Sequence, residues 1–550
     1  MNHNKERLGK IGLGLLLCAV ILLQGSFLVF QIFQKSGYFI DETYSYGLSN
    51  SFDSAFLNSD REGSPMQDRW VTSEYFNEYI TVQDGEGFAY DRVWENQVKD
   101  VHPPLFYLTL HTISSFFPEQ FSKWMGESIN LICFIVTQIF LFLTSLKVSK
   151  NNKYLSLSVI ILYGASTFMW DTFVYIRMYS MLTMWSVILI YLHVKLIDKK
   201  QNFWLLIPIG IVTYLGSLTQ YYFLILAFFM AIAYCIYLLY LKLFKKLLIY
   251  MAVMGVSVGA MLLTFPAVFE HLFGGRSVGN KTLDNASDLL GWVSRLYSYV
   301  RSILSSFMHL FGHRIIFAIA VICVVIAAAV VIVCCTRMKK QGKNILVDKI
   351  KNNIPFIFVC FVTLMTFLVV SLICFDPYSR YIYNILPLIT VCIIMFLGIL
   401  VKCINRQKNK LYIFLLIACI LLSGYNYLRF DSSFLYTENY EMSQMVAKDY
   451  NNCYGILFCD EKTAPPTQEL FSLREIKAVY CTSEENASNI EGILGNKDTS
   501  NGIIVWVDTS KEWSSGYDSD KILQTIRSSS RFKNNELLYS YGLVDVYHIY

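Results

Sequence analysis

The chain is cut into apolar runs of about 20 residues, the length that crosses a bilayer as a helix. The short loops between them are basic in every second case. We place spans near 11–33, 127–147, 154–170, 181–197, 204–219, 221–240, 247–266, 314–334, 355–375, 383–401 and 411–427, eleven in all. Lys147, Lys150 and Lys153 fill one short loop, Lys195, Lys199 and Lys200 another, and Lys242, Lys245 and Lys246 a third. Arg337 to Lys351 and Lys402 to Lys410 continue the series. Lys and Arg favour the cytoplasmic side, so the alternation sets an orientation. The N-terminus lies inside and the C-terminus outside, in a multi-pass plasma-membrane protein whose few prolines suggest a bacterial one. The first run follows Lys5, Arg7 and Lys10 like a signal peptide, but it is long and has no small-residue cleavage site, so it reads as an uncleaved span. Only 16% of residues are charged, where a soluble chain has about a quarter. The basic residues sit in loops rather than on a folded face, which excludes a nucleic-acid partner. The expected fold is therefore a polytopic α-helical membrane protein, its partner the lipid bilayer itself.

Three pieces fall on the outer side: loop 34–126, loop 267–313 and the tail from 431 to 550. Residues 103–117 are apolar but too short to span, and read as an interfacial helix. Leu289 to Phe311 shows helical apolar spacing with Arg295 and Arg301 between, an amphipathic helix on the outer face. The tail alternates apolar runs (454–459, 476–481, 502–507, 537–541, 544–550) with helical stretches (441–450, 520–528), which predicts a small extracytoplasmic α/β domain beyond a membrane domain of residues 1–430. The 14 cysteines lie mostly singly in apolar segments and show no metal-ligand spacing. Cys453, Cys459 and Cys481 lie in the tail and allow one disulfide, whose pairing the spacing leaves open.

The spans contain almost no ionisable groups (His193 is one), which argues against an ion-coupled transporter. Polar residues gather instead at the outer ends: Asp41-Glu42, Asp100-Val101-His102-Pro103-Pro104-Leu105, Asp171, Arg177, Tyr179, Gln220-Tyr221-Tyr222, Asp376 and Arg380-Tyr381. Outside a cell there is no nucleotide pool, so a sugar transferred there must come from a lipid phosphate. A phosphate leaving group needs charge neutralisation, which an arginine supplies with two parallel bonds. The acceptor hydroxyl or amine needs one general base. One carboxylate and one or two arginines suffice, and the chain has them in Asp41 or Glu42 with Arg177 and Arg380. The local alternatives are a helix cap for Asp41-Glu42, turn chemistry for His102 before two prolines, and headgroup anchoring for the arginines and tyrosines.

In these motifs, over roughly residues 10–400, the chain resembles the multi-span GT-C glycosyltransferases that use polyprenyl-phosphate sugars, the family 39-like group of protein O-mannosyltransferases and aminoarabinose transferases. The Asp-Glu pair after the first span, the Asp-x-His-Pro-Pro-Leu stretch, the loop Ile176-Arg177-Met178-Tyr179, Gln220-Tyr221-Tyr222 and Ser379-Arg380-Tyr381 before Pro387 carry the likeness, and Asp-x-His-Pro-Pro-Leu is the most specific. The resemblance implies Asp41 as base, with Glu42 orienting the base or the acceptor. It implies His102, Arg177, Tyr179, Gln220, Tyr221, Arg380 and Tyr381 at the lipid-phosphate donor, with Asp100, Pro103 and Pro104 in support. The expected partners are a polyprenyl-phosphate sugar and an extracytoplasmic glycan, lipid or protein acceptor. The β-trefoil insert of the protein O-mannosyltransferases is missing from the sequence, which weakens a protein acceptor. No cofactor is firmly implied: an acidic pair can hold a divalent metal, but no ligand spacing supports one here, and no metal ligands are assigned. The competing readings are a lipid-linked sugar flippase or polymer exporter, which would move substrate without breaking a bond, and a scaffold presenting the tail domain.

Overall fold

A computed structural model describes residues 2–57, 66–198, 202–274, 285, 287–307, 353–374, 377–404, 408–460, 464–510 and 516–550. Seven helices are long and apolar enough to cross a membrane: Ile11–Gln34, Lys123–Val148, Tyr179–Ile197, Tyr222–Tyr240, Phe244–Thr264, Ile354–Ile373 and Lys410–Arg429. The expected span at 154–170 is a helix pair, Lys153–Gly164 and Thr167–Val174, bent by 64°. The stretches expected at 204–219 and 383–401 form the shorter apolar helices Phe203–Ser217 and Leu386–Val401. The span expected at 314–334 lies outside the described residues, as does Asp376. The eleven expected spans thus become seven full-length ones, or eight with the bent pair, among the described residues.

The chain divides into two compact units: residues 1–32, 101–105 and 127–433 form a helical unit, and 33–100, 106–126 and 434–550 form a second. Most of loop 34–126 therefore groups with the tail.

In the helical unit the bend sits among contacts from distant parts of the chain. Gly164 is packed against the Gln24 amide so closely that a Cβ would lie 2.0 Å from Nε2. The carbonyls freed at the break find donors: Gly164 O accepts from Trp170 Nε1 (3.0 Å) and Tyr427 Oη (2.7 Å), and Ala165 O from Asn426 Nδ2 (2.8 Å). A broken helix is tolerated at membrane depth only with such replacements. Ser166 then caps the second helix, accepting from Met169 N at 3.2 Å. The helix expected at 289–311 is Leu289–Phe307. Its Arg295 is buried and donates to the carbonyls of Ser371 (3.3 Å), Leu372 (3.2 Å) and Asn285 (2.9 Å), so it closes the end of Ile354–Ile373 rather than pointing at headgroups. His193 is likewise structural: its ring nitrogens meet Leu189 O (2.8 Å) and Tyr250 Oη (2.9 Å).

The second unit holds a six-stranded sheet. Its strands are β1 (Trp70–Thr72), β2 (Tyr454–Phe458), β3 (Ala478–Thr482), β4 (Ile503–Asp508), β5 (Asn535–Tyr541) and β6 (Val544–Ile549), in the order β1-β3-β2-β4-β6-β5. β2 pairs in parallel with both β3 and β4, and the other pairings are antiparallel. β4 is buried at every residue, as befits a central strand covered on both faces. One face packs Ile456, Val505 and Ile549 against Ile522 and Ile526 of the helix Ser519–Ser529. β1 comes from the loop before the second span; at three residues it is too short to show in a periodicity.

Candidate functional site

In the second unit, Asp41 and Glu42 open the helix Ile40–Asn50, where carboxylates meet the positive end of the helix dipole. Their environments differ sharply. Asp41 is half-buried, while Glu42 is fully buried and forms an ion pair with Lys35, itself fully buried. Glu42 Oε2 also accepts from Phe39 N at 2.9 Å, so its carboxylate fixes the chain entering the helix. Lys35 carries the Lys123 ammonium on its own carbonyl, and Tyr46 Oη reaches Ser122 O at 2.9 Å, which ties the segment before the helix to the 122–123 turn. Asp100 is a half-buried residue closing the helix Tyr90–Lys99, its N–H on Asn96 O at 3.1 Å.

In the helical unit, motifs far apart in sequence converge. The Thr167–Val174 helix ends at Tyr175, Arg177 lies buried in the turn, and the next helix starts at Tyr179. Arg380 sits in a short turn, Ser379–Ile382, before Leu386–Ile404. Its Nη1 donates to Tyr175 Oη at 3.4 Å, and its guanidinium lies over the Tyr378 ring at 4.6 Å and the Tyr381 ring at 5.7 Å. Tyr175 stacks on Tyr179 (5.9 Å), and Tyr179 meets Tyr383 (6.1 Å). Tyr222, the first residue of its helix, meets Tyr381 at 5.3 Å. Gln220 caps that helix through its side-chain oxygen on Tyr222 N. The Pro-Pro segment joins the same region: Pro103 and Pro104 are buried, and Leu105 N donates to Leu218 O at 3.0 Å, two residues before Gln220. His102 is half-buried beside them.

Tyr221 goes elsewhere: its hydroxyl meets His271 Nδ1 at 2.8 Å, and Tyr222 takes the position beside Tyr381. Asp171 is engaged by the chain itself, accepting from Ser432 Oγ (2.9 Å), Ser433 N (2.8 Å) and Ser433 Oγ (2.8 Å). Sequence reasoning passed over Tyr175, Tyr378 and Tyr383, since tyrosines at span ends are common. It also passed over Glu127, a fully buried carboxylate at the start of a span. Glu127 accepts from Asn130 Nδ2 (3.0 Å), which also donates to Tyr175 O (3.2 Å), placing this acid next to the tyrosine that holds Arg380. Its signal was the one acidic residue just inside the Lys123–Val148 helix. Among the described residues, no group of three or more His, Cys, Asp or Glu side chains converges as metal ligands.

The cluster can hold an anion. A guanidinium framed by aromatic rings keeps its planar donor fork oriented. The helices starting at Tyr179 and Tyr222 add the positive ends of their dipoles. Tyrosine hydroxyls supply further donors.

No family model matches the sequence, and no curated protein matches it. Over 98% of each chain the structure is similar to the crystal structure of ArnT from Cupriavidus metallidurans bound to undecaprenyl phosphate (TM-score 0.49, 9% identity). It is similar to the apo state of that protein over the same share (TM-score 0.47, 9% identity). A likeness this distant assigns no residue its role.

Proposed function

We propose that this chain is a membrane glycosyltransferase that moves a sugar from a polyprenyl-phosphate donor to an extracytoplasmic acceptor. The observation that supports it most is the meeting of Arg380 and its tyrosines with the Arg177 turn, the Gln220-Tyr222 cap and the Pro103-Pro104 segment. A scaffold gives these segments no reason to gather around a guanidinium. In the proposed reaction the acceptor oxygen attacks the anomeric carbon. The bond from that carbon to the phosphate oxygen breaks, and its electron pair leaves with the polyprenyl phosphate. Asp41 takes the proton from the acceptor hydroxyl. Arg380, with Arg177, neutralises the growing phosphate charge, which is the larger contribution where water is excluded. A single displacement inverts the anomeric configuration. Glu42 acts on Asp41 by position, through the ion pair that sets the helix start.

The test is conversion of a radiolabelled polyprenyl-phosphate sugar by the purified chain in detergent, with wild type, Asp41→Asn and Arg380→Ala compared. Release of polyprenyl phosphate by the wild type, lost in both variants, is expected. Movement of intact donor across a vesicle bilayer without cleavage, unaffected by Asp41→Asn, would establish the flippase instead. Retained anomeric configuration in the product would overturn the single displacement.

A further inference from the structure

The second unit contains a cavity of about 200 Å³, built from five separate stretches of chain, the first of them (residues 36–38) just before the Asp41-Glu42 helix. One wall is aromatic: Tyr38, Phe121 and Phe471 touch one another, at 4.8 Å between Tyr38 and Phe471, 5.2 Å between Tyr38 and Phe121 and 5.4 Å between Phe121 and Phe471. The other lining carries Gln468, Glu469 and Arg474, with Glu475 beside the arginine. This is a constructed surface. Ser36 N and Gly37 N both donate to Leu435 O at 3.2 Å, and a Cβ on Gly37 would lie 2.0 Å from Tyr436 O, so only glycine fits there. Gln468 is held by Tyr541 O (2.7 Å), and Glu469 by Tyr539 Oη (2.8 Å).

We propose that this cavity is a saccharide-binding site that seats one sugar ring of the acceptor glycan. The inference rests on the transferase reading above. A sugar ring has an apolar face of C–H groups and a rim of hydroxyls that both donate and accept. The aromatic wall suits the face. Amide, carboxyl and guanidinium groups supply both acceptors and donors for the rim. The volume suits one pyranose rather than a lipid chain. The charges separate acceptor from donor: two carboxyls and one guanidinium line or edge the cavity, and the guanidinium already pairs with Glu475 (Nε to Oε1 3.2 Å). A phosphate would find that guanidinium already paired. Burial pushes the Glu469 carboxyl up to about 7, the Tyr539 hydroxyl pulling the other way, so near neutrality it can both donate and accept toward a hydroxyl.

The experiment uses the detergent-solubilised full chain and saturation-transfer NMR with the methyl glycosides of glucose, galactose, mannose and N-acetylglucosamine, with inorganic phosphate added as a competitor. At least one glycoside is expected to bind in the millimolar range, and phosphate should not displace it. Arg474→Ala/Glu475→Ala, at the partly exposed rim, and Phe471→Leu, which keeps the apolar contact and removes the ring, should each weaken that binding about tenfold. In transfer assays the rim variant should raise the acceptor KM about tenfold and leave the donor KM unchanged. If no glycoside binds, if phosphate displaces it, or if both variants bind sugar like the wild type, the site is refuted while donor turnover can still stand. If sugar binds in a variant-sensitive way and the chain cleaves no lipid-phosphate sugar, the pocket stands and the transferase reading falls.

Discussion

Glu42 and Lys35 form an ion pair in which neither side chain reaches solvent, and this makes Glu42→Gln a sharp perturbation. The amide keeps the size and still accepts from Phe39 N, which the carboxylate now does at 2.9 Å. What it removes is the charge, leaving the Lys35 ammonium buried without its counter-ion. Stranding one member of such a pair costs about 3–5 kcal/mol, because the desolvation of the remaining charge is no longer offset. In a folded unit of roughly 200 residues that lowers the unfolding midpoint by about 6–20 °C. Replacing both partners, Lys35→Met with Glu42→Leu, removes both charges and should cost far less, or even stabilise by about 1–4 kcal/mol. A double-variant cycle read by tryptophan fluorescence during unfolding in detergent isolates the coupling. If the double variant is as unstable as Glu42→Gln, charge burial is not the cause and the packing of the helix start is. If Glu42→Gln costs less than about 1 kcal/mol, the pair is hydrated in the membrane-bound protein, and the positioning role assigned to Glu42 is wrong.

Asp41→Asn should leave the unfolding midpoint within about 2 °C, since Asp41 is only half-buried, and lower kcat by about 10²–10⁴; a kcat within threefold of wild type sinks its role as base. Arg380→Lys keeps the charge but loses the planar fork, and kcat/KM for the lipid-phosphate donor should fall about 10–100-fold, whereas unchanged kinetics would place the phosphate elsewhere. Glu469 has a folded-state value raised from 4.5 to about 7, so the folded chain holds its proton over a range in which the unfolded chain has lost it. Its stabilisation is full below about 4.5 and is lost as pH rises through about 7, an effect of about 3 kcal/mol. Glu469→Gln should therefore flatten the midpoint-versus-pH curve between pH 5 and 8, and a slope identical to wild type would refute the assignment. Cys459 and Cys481 Sγ atoms lie 3.2 Å apart, both buried beside adjacent parallel strands. If the tail faces an oxidising compartment, these two thiols lose two electrons and two protons to a thiol oxidase and form a disulfide worth roughly 3 kcal/mol, with Cys453 left reduced. Peptide mapping of alkylated protein checks this, and two alkylatable thiols in protein from an oxidised cell envelope would count against an outward tail.

Membrane-length runs and tail strands were legible in the sequence because each rests on a local period. The apolar runs at 454–459 and 502–507 became β2 and β4 almost residue for residue, because a covered central strand has no polar face to blur it. The bend at Gly164 was not legible. It depends on the Gln24 amide pressing on that glycine and on Trp170, Tyr427 and Asn426 receiving the freed carbonyls, partners up to 263 residues away. The candidate site divides in the same way. Arg177 and Arg380 were visible as charges at the ends of apolar runs, where a charge is costly enough to need a reason. Tyr175, which meets Arg380 through its hydroxyl, looked like one more interfacial aromatic. Asp171 and Glu42 show the converse: both stood out as acids, and the structure places each among donors from its own unit, three from the Ser432-Ser433 turn in one case and Lys35 with Phe39 N in the other. Charge at an apolar boundary therefore says that a partner exists, and only the fold says whether that partner is the protein itself. Of the acidic pair, Glu42 is fully buried against Lys35, and the half-buried Asp41 is the one at the helix start that could meet an acceptor.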